Sequence, residues 1–140
     1  MSRKKYIILE DGDQVHMVID GVRVTFFSFP YEIKCIDKIH GLPLPSLLRL
    51  AAMKAFALGG RAKWKDYVDL YFIIKYHYSI KAIILEAEKI FSKRFNGRFF
   101  RQQLRFFSDM NYSESVEYLI DPVSDDTIKD FLAGVSTDPF

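Results

Sequence analysis

The chain has 140 residues and a mass of 16.4 kDa, with 49% hydrophobic residues, 27% charged residues and a formal net charge of +2. This composition is that of an ordinary globular protein, and it excludes a disordered chain, a collagen and a disulfide scaffold. A chain of this length buries roughly 68% of the surface that its unfolded form exposes, which is enough for one core but cramped for two. We therefore predict a single domain over residues 1–140. The mild charge does not by itself indicate a nucleic-acid-binding protein.

Three features of the sequence indicate the compartment. Cys35 is the single cysteine, so no internal disulfide can form, which suits a reducing environment. The apolar run near the N-terminus has four residues and is too short for a secretory signal. No stretch approaches the ~18 apolar residues of a membrane span. We expect a cytoplasmic protein with no membrane partner.

The first part of the chain contains three apolar runs that are typical of β-strands. They span residues 6–10, 15–19 and 22–29. Asp20-Gly21 separates the last two runs and is a strong signal for a two-residue hairpin turn. Val22, Val24 and Phe26 alternate with polar residues, so we expect one face of the third strand to be buried. The pattern predicts an antiparallel β-meander over residues 4–29.

From residue 46 onward the hydrophobic period becomes helical. Ser46 and Ser124 are candidate N-caps, and Gly59-Gly60 and Asn96-Gly97 are candidate breaks. The predicted helices span residues 46–58, 63–76, 79–95, 99–107 and 124–132. With strands first and four to five helices afterwards, over residues 45–134, the sequence predicts an α+β fold built on a short sheet of about three strands.

A lysine lies on the apolar face of the first predicted helix. On a helical wheel, Lys54 falls between Leu50 and Leu58. Such a lysine either extends its ammonium to water along the core, pairs with a carboxylate, or belongs to a functional site. The wheel alone does not choose among these.

Two carboxylates lie on the apolar face of the second predicted helix. Asp66 and Asp69 are three residues apart and share a face with apolar side chains. A buried, unpaired carboxylate costs several kcal/mol, so we expect partners, for which Lys54, Arg61 and Lys65 are candidates. The alternative is structural, with Asp66 as the N-cap and Asp69 in the first turn, where the helix dipole favours acids.

The order of these residues points to a known family. Ala52-Met53-Lys54 is followed by Gly60-Arg61 and then by Asp66-Tyr67-Val68-Asp69-Leu70-Tyr71. This pattern resembles the AbiEii/AbiGii group of nucleotidyltransferase-like proteins. Residues 20–27 and 29–31 resemble the strands that precede the pattern in that group. The similarity covers about residues 15–110.

The resemblance implies a function. Members of this group are similar to polymerase-β-type nucleotidyltransferases and act as toxins of toxin–antitoxin and abortive-infection systems, which implies an antitoxin partner. By resemblance, Lys54 contacts the triphosphate, while Asp66 and Asp69 line the pocket. Arg61 and Lys65 are further nucleotide-binding candidates. The implied chemistry is in-line phosphoryl transfer assisted by metal ions.

The sequence also departs from the family pattern. The reaction needs a Gly-Ser turn and a strand with Asp-x-Asp that holds Mg²⁺. The only nearby group of three acids, in Glu10-Asp11-Gly12-Asp13, follows no Gly-Ser. Thr25 stands where a third carboxylate is usual and is a poor magnesium ligand. We expect no metal site and no cofactor in this chain, and no catalysis by the chain alone. It resembles the second part of such a protein, without a first ~60–80 residues; Mg²⁺ and a nucleoside triphosphate would bind only if the missing motif were supplied.

A basic stripe suggests a second kind of partner. Arg94, Arg98, Arg101 and Arg105 recur at intervals that place them along one helical face, beside several phenylalanines. Such a stripe can bind RNA. The alternative is a solvated face whose arginines pair with nearby acids, with the helix interrupted at Gly97.

The competing function is a non-catalytic module that binds a nucleotide, RNA or a protein. Such a module would assemble through the unpaired edge of its sheet, as a homodimer or with a partner chain.

Overall fold

The computed structural model describes residues 4–139 and has five strands, five α-helices and one short 3₁₀ segment. The chain divides into two compact units, the first ending at Glu32 and the second beginning at Ile33. The predicted α+β class is confirmed. None of the helices in the described part of the chain is long and apolar enough to cross a membrane. The prediction of a single domain stays a prediction.

The first unit is the predicted antiparallel meander. Its strands are β1 (Lys5–Asp11), β2 (Gln14–Ile19) and β3 (Val22–Phe27), in the spatial order β1-β2-β3. Asp20 and Gly21 have φ values of +50° and +84°, and Ile19 pairs with Val22 across them. Two consecutive positive φ values are what a type I′ hairpin turn requires, so the predicted two-residue turn at Asp20-Gly21 is confirmed.

The prediction that one face of β3 is buried is wrong. Val22 and Phe26 are 63% and 60% exposed, and Val18 of β2 is the one buried residue between positions 4 and 32. A meander of three short strands is a single layer, which cannot cover its own apolar face. The alternation of apolar and polar residues predicted the strand correctly. Burial of its apolar side chains would need a second layer packed on the sheet.

The second unit begins with a hairpin that the sequence analysis missed. Its strands are β4 (Cys35–Ile39) and β5 (Leu42–Pro45), joined at His40-Gly41 with φ values of +49° and +82°. Pro43 and Pro45 argue against a strand inside a sheet. In a two-stranded ribbon each strand has an open edge, where a proline is tolerated. The His-Gly turn was the available signal.

Helices make up the rest of the second unit. They are α1 (Leu47–Leu58), α2 (Trp64–Tyr76), α3 (Ile80–Phe91), α4 (Gly97–Leu104) and α5 (Asp125–Thr137). The side chains of Ser46, Ser79 and Ser124 accept hydrogen bonds from the backbone N–H three residues on, which satisfies donors that the first turn leaves open. The predicted caps at Ser46 and Ser124 are confirmed.

The boundary between α3 and α4 differs from the prediction. Helix α3 ends at Phe91, because Ser92 adopts a φ of +48°, and a 3₁₀ segment covers Ser92–Arg94. Asn96 then caps α4: its Oδ1 accepts from the N–H groups of Arg98 and Phe99, both at 3.0 Å. Asn96-Gly97 is therefore a helix start, since asparagine is a strong N-cap.

Small residues set the packing of α1. Its buried positions are Ala51, Ala52, Ala55 and Leu58. Phe56 of α1 stacks on Phe91 of α3 with ring centroids 4.0 Å apart. Alanines allow neighbouring helices to approach closely, because little side chain separates the backbones. The helical wheel places Leu50 on the apolar face, but Leu50 is 36% exposed, as is Leu47.

Gly97 marks the closest approach of α4 to α3, and its substitution tests this packing. A Cβ at Gly97 would lie 2.8 Å from Ile84 Cγ2, whereas a Cβ at Gly134 in α5 would meet nothing within 4 Å. We expect Gly97→Ala to lower the free energy of unfolding by about 1–3 kcal/mol through overpacking. Gly134→Ala should raise it by about 0.5–1 kcal/mol through helix propensity. Urea denaturation measures both, and equal stabilisation by the two alanines would contradict the close packing.

Candidate functional site

The first turns of α2 bring two carboxylates to one lysine of α1. Lys54 Nζ lies 3.0 Å from Asp66 Oδ1 and 2.7 Å from Asp69 Oδ2. Residues three apart on a helix face the same side, so one ammonium can reach both acids. Arg61, in the loop between the helices, places its Nε 3.4 Å from Asp66 Oδ2. We call these four residues the Lys54 cluster.

Burial falls steeply across the Lys54 cluster. The exposed fraction of the side chain is 6% for Asp66, 20% for Lys54 and 51% for Asp69. Asp66 Oδ2 is buried without a hydrogen bond, so its contact with Arg61 is an ion pair only. Asp66 is therefore the structural member, whose charge must be compensated inside the protein. Asp69 is the acid of the cluster that a ligand can reach.

The geometry decides between the readings left open for these residues. Helix α2 begins at Trp64, and its N-cap, Lys63, makes no side-chain cap hydrogen bond. Asp66 therefore lies within the first turn and is not the N-cap, although the helix dipole still favours its charge. Lys54 does not merely extend to water, because its ammonium is paired with both acids.

Lys65 does not join the cluster. Its Nζ lies 3.4 Å from Glu114 Oε2, and Lys63 also pairs with Glu114. The segment that carries Glu114 is held against the start of α2 by backbone hydrogen bonds from Trp64 N to Asn111 O and from Asn111 N to Ala62 O. The hydrogen bond and charge of Lys63 lower the pKa of Glu114. Nothing local in the sequence indicated this partner, which is 49 residues away from Lys65.

Asp69 stands between two clefts of the second unit. One cleft has a volume of about 300 Å³ and is shared with Lys54 and His77; its other walls are apolar. The other has a volume of about 580 Å³ and is polar, with Lys65, Glu114 and Glu117 in its lining. His77 was not singled out as a site residue, because a lone histidine after a helix carries no pattern.

Burial and charge oppose each other at Lys54. Burial alone would lower the pKa of Lys54, but the hydrogen bonds and negative charges of Asp69 and Asp66 outweigh it and raise the pKa above its ordinary value. The lysine is thus firmly charged at neutral pH. The four formal charges of the cluster sum to zero, so the cluster is not a strong anion site as it stands.

The carboxylates of the cluster do not fit a magnesium ion. Mg²⁺ needs oxygen ligands that are free to face it, and both Asp66 and Asp69 already face a cation within 3.0 Å. Asp11 and Asp13 flank the β1–β2 turn, where Gly12 has a φ of +38°. Between residues 4 and 139, no three His, Cys, Asp or Glu side chains form a group suited to a metal ion.

The four arginines do not form one helical stripe. Arg94 belongs to the 3₁₀ segment before α4, and Arg105 follows the last residue of that helix. Arg101 donates from Nη1 to the carbonyl oxygens of Ser136 and Asp138, at 3.1 and 2.7 Å, and so caps the C-terminal end of α5. Arg94, Arg98 and Arg105 are exposed.

A comparison with protein families gives the class to which the chain belongs. A family model described as "Nucleotidyl transferase AbiEii toxin, Type IV TA system" matches residues 5–139. The chain therefore belongs to the AbiEii nucleotidyl transferase toxin family, and the resemblance seen in the sequence is confirmed.

Comparison with individual proteins adds a relative of unknown activity. "Uncharacterized protein aq_aa25" of Aquifex aeolicus (strain VF5) is 27% identical over 101 residues, which is 69% of this chain and 47% of the relative. The chain thus spans about half the length of the curated relative that it matches. No solved structure is significantly similar to the present chain.

Removing Lys54 tests whether the cluster holds α1 against α2. We expect Lys54→Met to lower the free energy of unfolding by roughly 1–3 kcal/mol, because buried Asp66 keeps only the ion pair with Arg61. Adding Asp66→Asn should recover part of the loss, since no buried charge remains. Lys65→Met, whose partner Glu114 is half exposed, should change stability by about 0.5 kcal/mol or less. Chemical denaturation of the variants measures these differences; a Lys54→Met loss no larger than that of Lys65→Met would contradict the assignment.

Tyr67 makes the free energy of unfolding depend on pH in the alkaline range. Burial, followed by the charges of Asp109 and Asp66, raises the pKa of Tyr67 to about 12. The folded state thus holds the phenol proton more tightly than the unfolded state. This contribution, about 2–3 kcal/mol, is complete below pH ~10 and is lost as the pH rises towards 12.

Tyr67→Phe isolates this effect. The variant loses the hydrogen bond from Tyr67 Oη to Gln103 O, so we expect it to be less stable at pH 8. Its stability should nevertheless fall less between pH 9.5 and 11.5 than that of the parent, although Lys54 still titrates in both. Tyr6→Phe, at a site that is 60% exposed, is the control. Parallel pH profiles for Tyr67→Phe and the parent would refute the linkage.

Proposed function

We propose that the second unit supplies nucleotide-binding helices of a toxin-type nucleotidyltransferase, with the Lys54 cluster in contact with the triphosphate. The single observation that supports this is that Lys54 and Asp69 together line the cleft of about 300 Å³, so both are accessible from it. An ammonium has three donors. Two face Asp66 and Asp69, so one remains for a phosphate oxygen.

Each member of the cluster then has a distinct role. Asp66 fixes the position of Lys54 from the protein interior. Lys54 donates to the phosphate and orients Asp69, whose exposed carboxylate can accept a hydrogen bond from a hydroxyl of the substrate. Arg61 and Lys65 lie at the rim, where both side chains are about half exposed. Each is paired with an acid, so they offer hydrogen-bond donors at short range and no net positive field.

We also propose that these 140 residues do not transfer nucleotide by themselves. The transfer of a phosphoryl group requires charge stabilisation that carboxylate-held metal ions ordinarily supply. Asp66 and Asp69 face cations, and no three acids of the described residues group around a metal position. Any complete reaction would therefore need carboxylates from outside these residues, and an antitoxin protein remains a proposed partner.

A second candidate function is assembly through the meander. Within the first unit, β1 and β3 each pair on one side only, and Ile7, Leu9 and Phe27 are about half exposed or more. An open edge with apolar side chains is suited to strand addition by another chain or a second copy. RNA binding would rest on the three exposed arginines around α4 and is the weaker form of this candidate.

Calorimetric titration with inorganic tripolyphosphate tests the proposed role of the cluster. We expect weak binding by the parent chain, because the cluster is neutral. Asp69→Asn should strengthen binding about fivefold or more, because it removes the acid that competes for Lys54. Lys54→Met should abolish binding. Asp37→Asn, in the β4–β5 hairpin, changes the net charge equally and should have little effect.

Two outcomes would count against these proposals. Equal binding by Lys54→Met and the parent would remove Lys54 from the phosphate site and favour the assembly candidate. Labelling of RNA by the purified chain with a nucleoside triphosphate and Mg²⁺ would disprove the proposed inactivity.

A further inference from the structure

The smaller cleft beside the Lys54 cluster has an unusual lining for a surface site. Its apolar walls are Leu47 and Leu50 from α1 and Phe72 and Ile73 from α2. Its polar lining comes from Lys54, Asp69 and His77. An apolar recess with a few polar groups is the usual make-up of a small-molecule site.

The two leucines are not part of the core of α1. The core stripe of the helix consists of three alanines and Leu58, whereas Leu47 and Leu50 are each 36% exposed. They lie on the side that borders the cleft. Large apolar side chains in this position lose favourable burial unless something covers them.

An aromatic surface continues from the same wall. Phe72 lies nearly parallel to Tyr76, with ring centroids 6.2 Å apart and an interplanar angle of 18°. Tyr76 is 61% exposed. Stacked aromatic rings beside an open cleft form a platform for another planar ring, because every nucleobase has a π-face.

Size and charge limit the occupant. A volume of about 300 Å³ is at the lower end of the range for ligand sites, ~300–1,000 Å³, so the cleft suits one ring system and not a whole nucleotide. Lys54 and Asp69 in its lining connect it directly to the proposed phosphate site. The polar cleft on the other side of Asp69 is a poorer candidate, since Glu114 and Glu117 would repel phosphates.

We propose that this apolar cleft is the nucleobase subsite of the chain, in which Leu47, Leu50 and Phe72 hold the base of a nucleoside triphosphate while Lys54 meets its phosphates. This inference rests on the proposed function of the Lys54 cluster. His77 is the polar group in the lining that can hydrogen-bond to an edge of the base, since a histidine ring offers a donor and an acceptor.

A comparison of nucleoside triphosphates with inorganic tripolyphosphate separates the base from the phosphates. By titration calorimetry, we expect ATP, GTP, CTP or UTP to bind the parent chain at least fivefold more tightly than tripolyphosphate does. Leu50→Gln should weaken binding of the preferred nucleotide about three- to tenfold and leave tripolyphosphate binding unchanged. Leu85→Gln, which replaces another exposed leucine on α3, is the matched control and should change neither affinity.

The outcomes separate the proposed nucleobase subsite from the proposed phosphate site at the Lys54 cluster. If tripolyphosphate and all four nucleotides bind equally and Leu50→Gln changes nothing, the subsite is wrong while the phosphate site stands. If neither tripolyphosphate nor any nucleotide binds, both fail together. Circular dichroism of Leu50→Gln and Leu85→Gln confirms that the two variants are folded, so a loss specific to Leu50→Gln is assigned to the cleft.

Discussion

The arrangement of the second unit depends on one buried charge. Asp66 is 4% exposed as a residue, and at such a buried position an uncompensated carboxylate would destabilise the fold by several kcal/mol. Lys54 and Arg61 supply that compensation from α1 and from the loop after it. The requirement therefore sets the position of α2 along α1, and with it the position of Asp69. Replacing both partners of the ion pair by apolar residues of similar volume is compatible with the fold, since buried ion pairs add little net stability, but it would remove the site.

Small residues let the helices of the second unit pack closely. Three of the four buried positions of α1 are alanines, and Gly97 at the start of α4 lies against Ile84 of α3. A second set of contacts fixes the start of α2: Trp64 bonds to the backbone of Asn111, and Lys129 of α5 lies within 6 Å of the rings of Trp64, Phe107 and Tyr112. Cation–π contacts of this kind stabilise by roughly 0.5–2 kcal/mol each. The turn that carries Asp66 is thus held from both α1 and α5.

The Lys54 cluster joins a buried end to an exposed end. Its innermost acid, Asp66, faces only internal partners, while its outermost acid, Asp69, is half exposed between two clefts. Such a gradient lets the protein keep a charged group in a defined place without leaving it unpaired. The proposed base and phosphate subsites differ in chemistry. The base subsite is lined by partly exposed leucines, and the phosphate subsite is lined by paired charges.

Sequence patterns by themselves determined the meander, the positions of most helices and the caps at Ser46 and Ser124, and they named Lys54 as a candidate partner of Asp66 and Asp69. These features arise from interactions within a few residues or from a charge that must be paired, so periodicity and turn chemistry reveal them. Only the tertiary structure decided that β4 and β5 form a hairpin, that Lys65 pairs with Glu114, that Arg101 caps α5, and that Leu47 and Leu50 border a cleft. Each of these depends on which surfaces meet across distant parts of the chain, and local propensity carries no information about that.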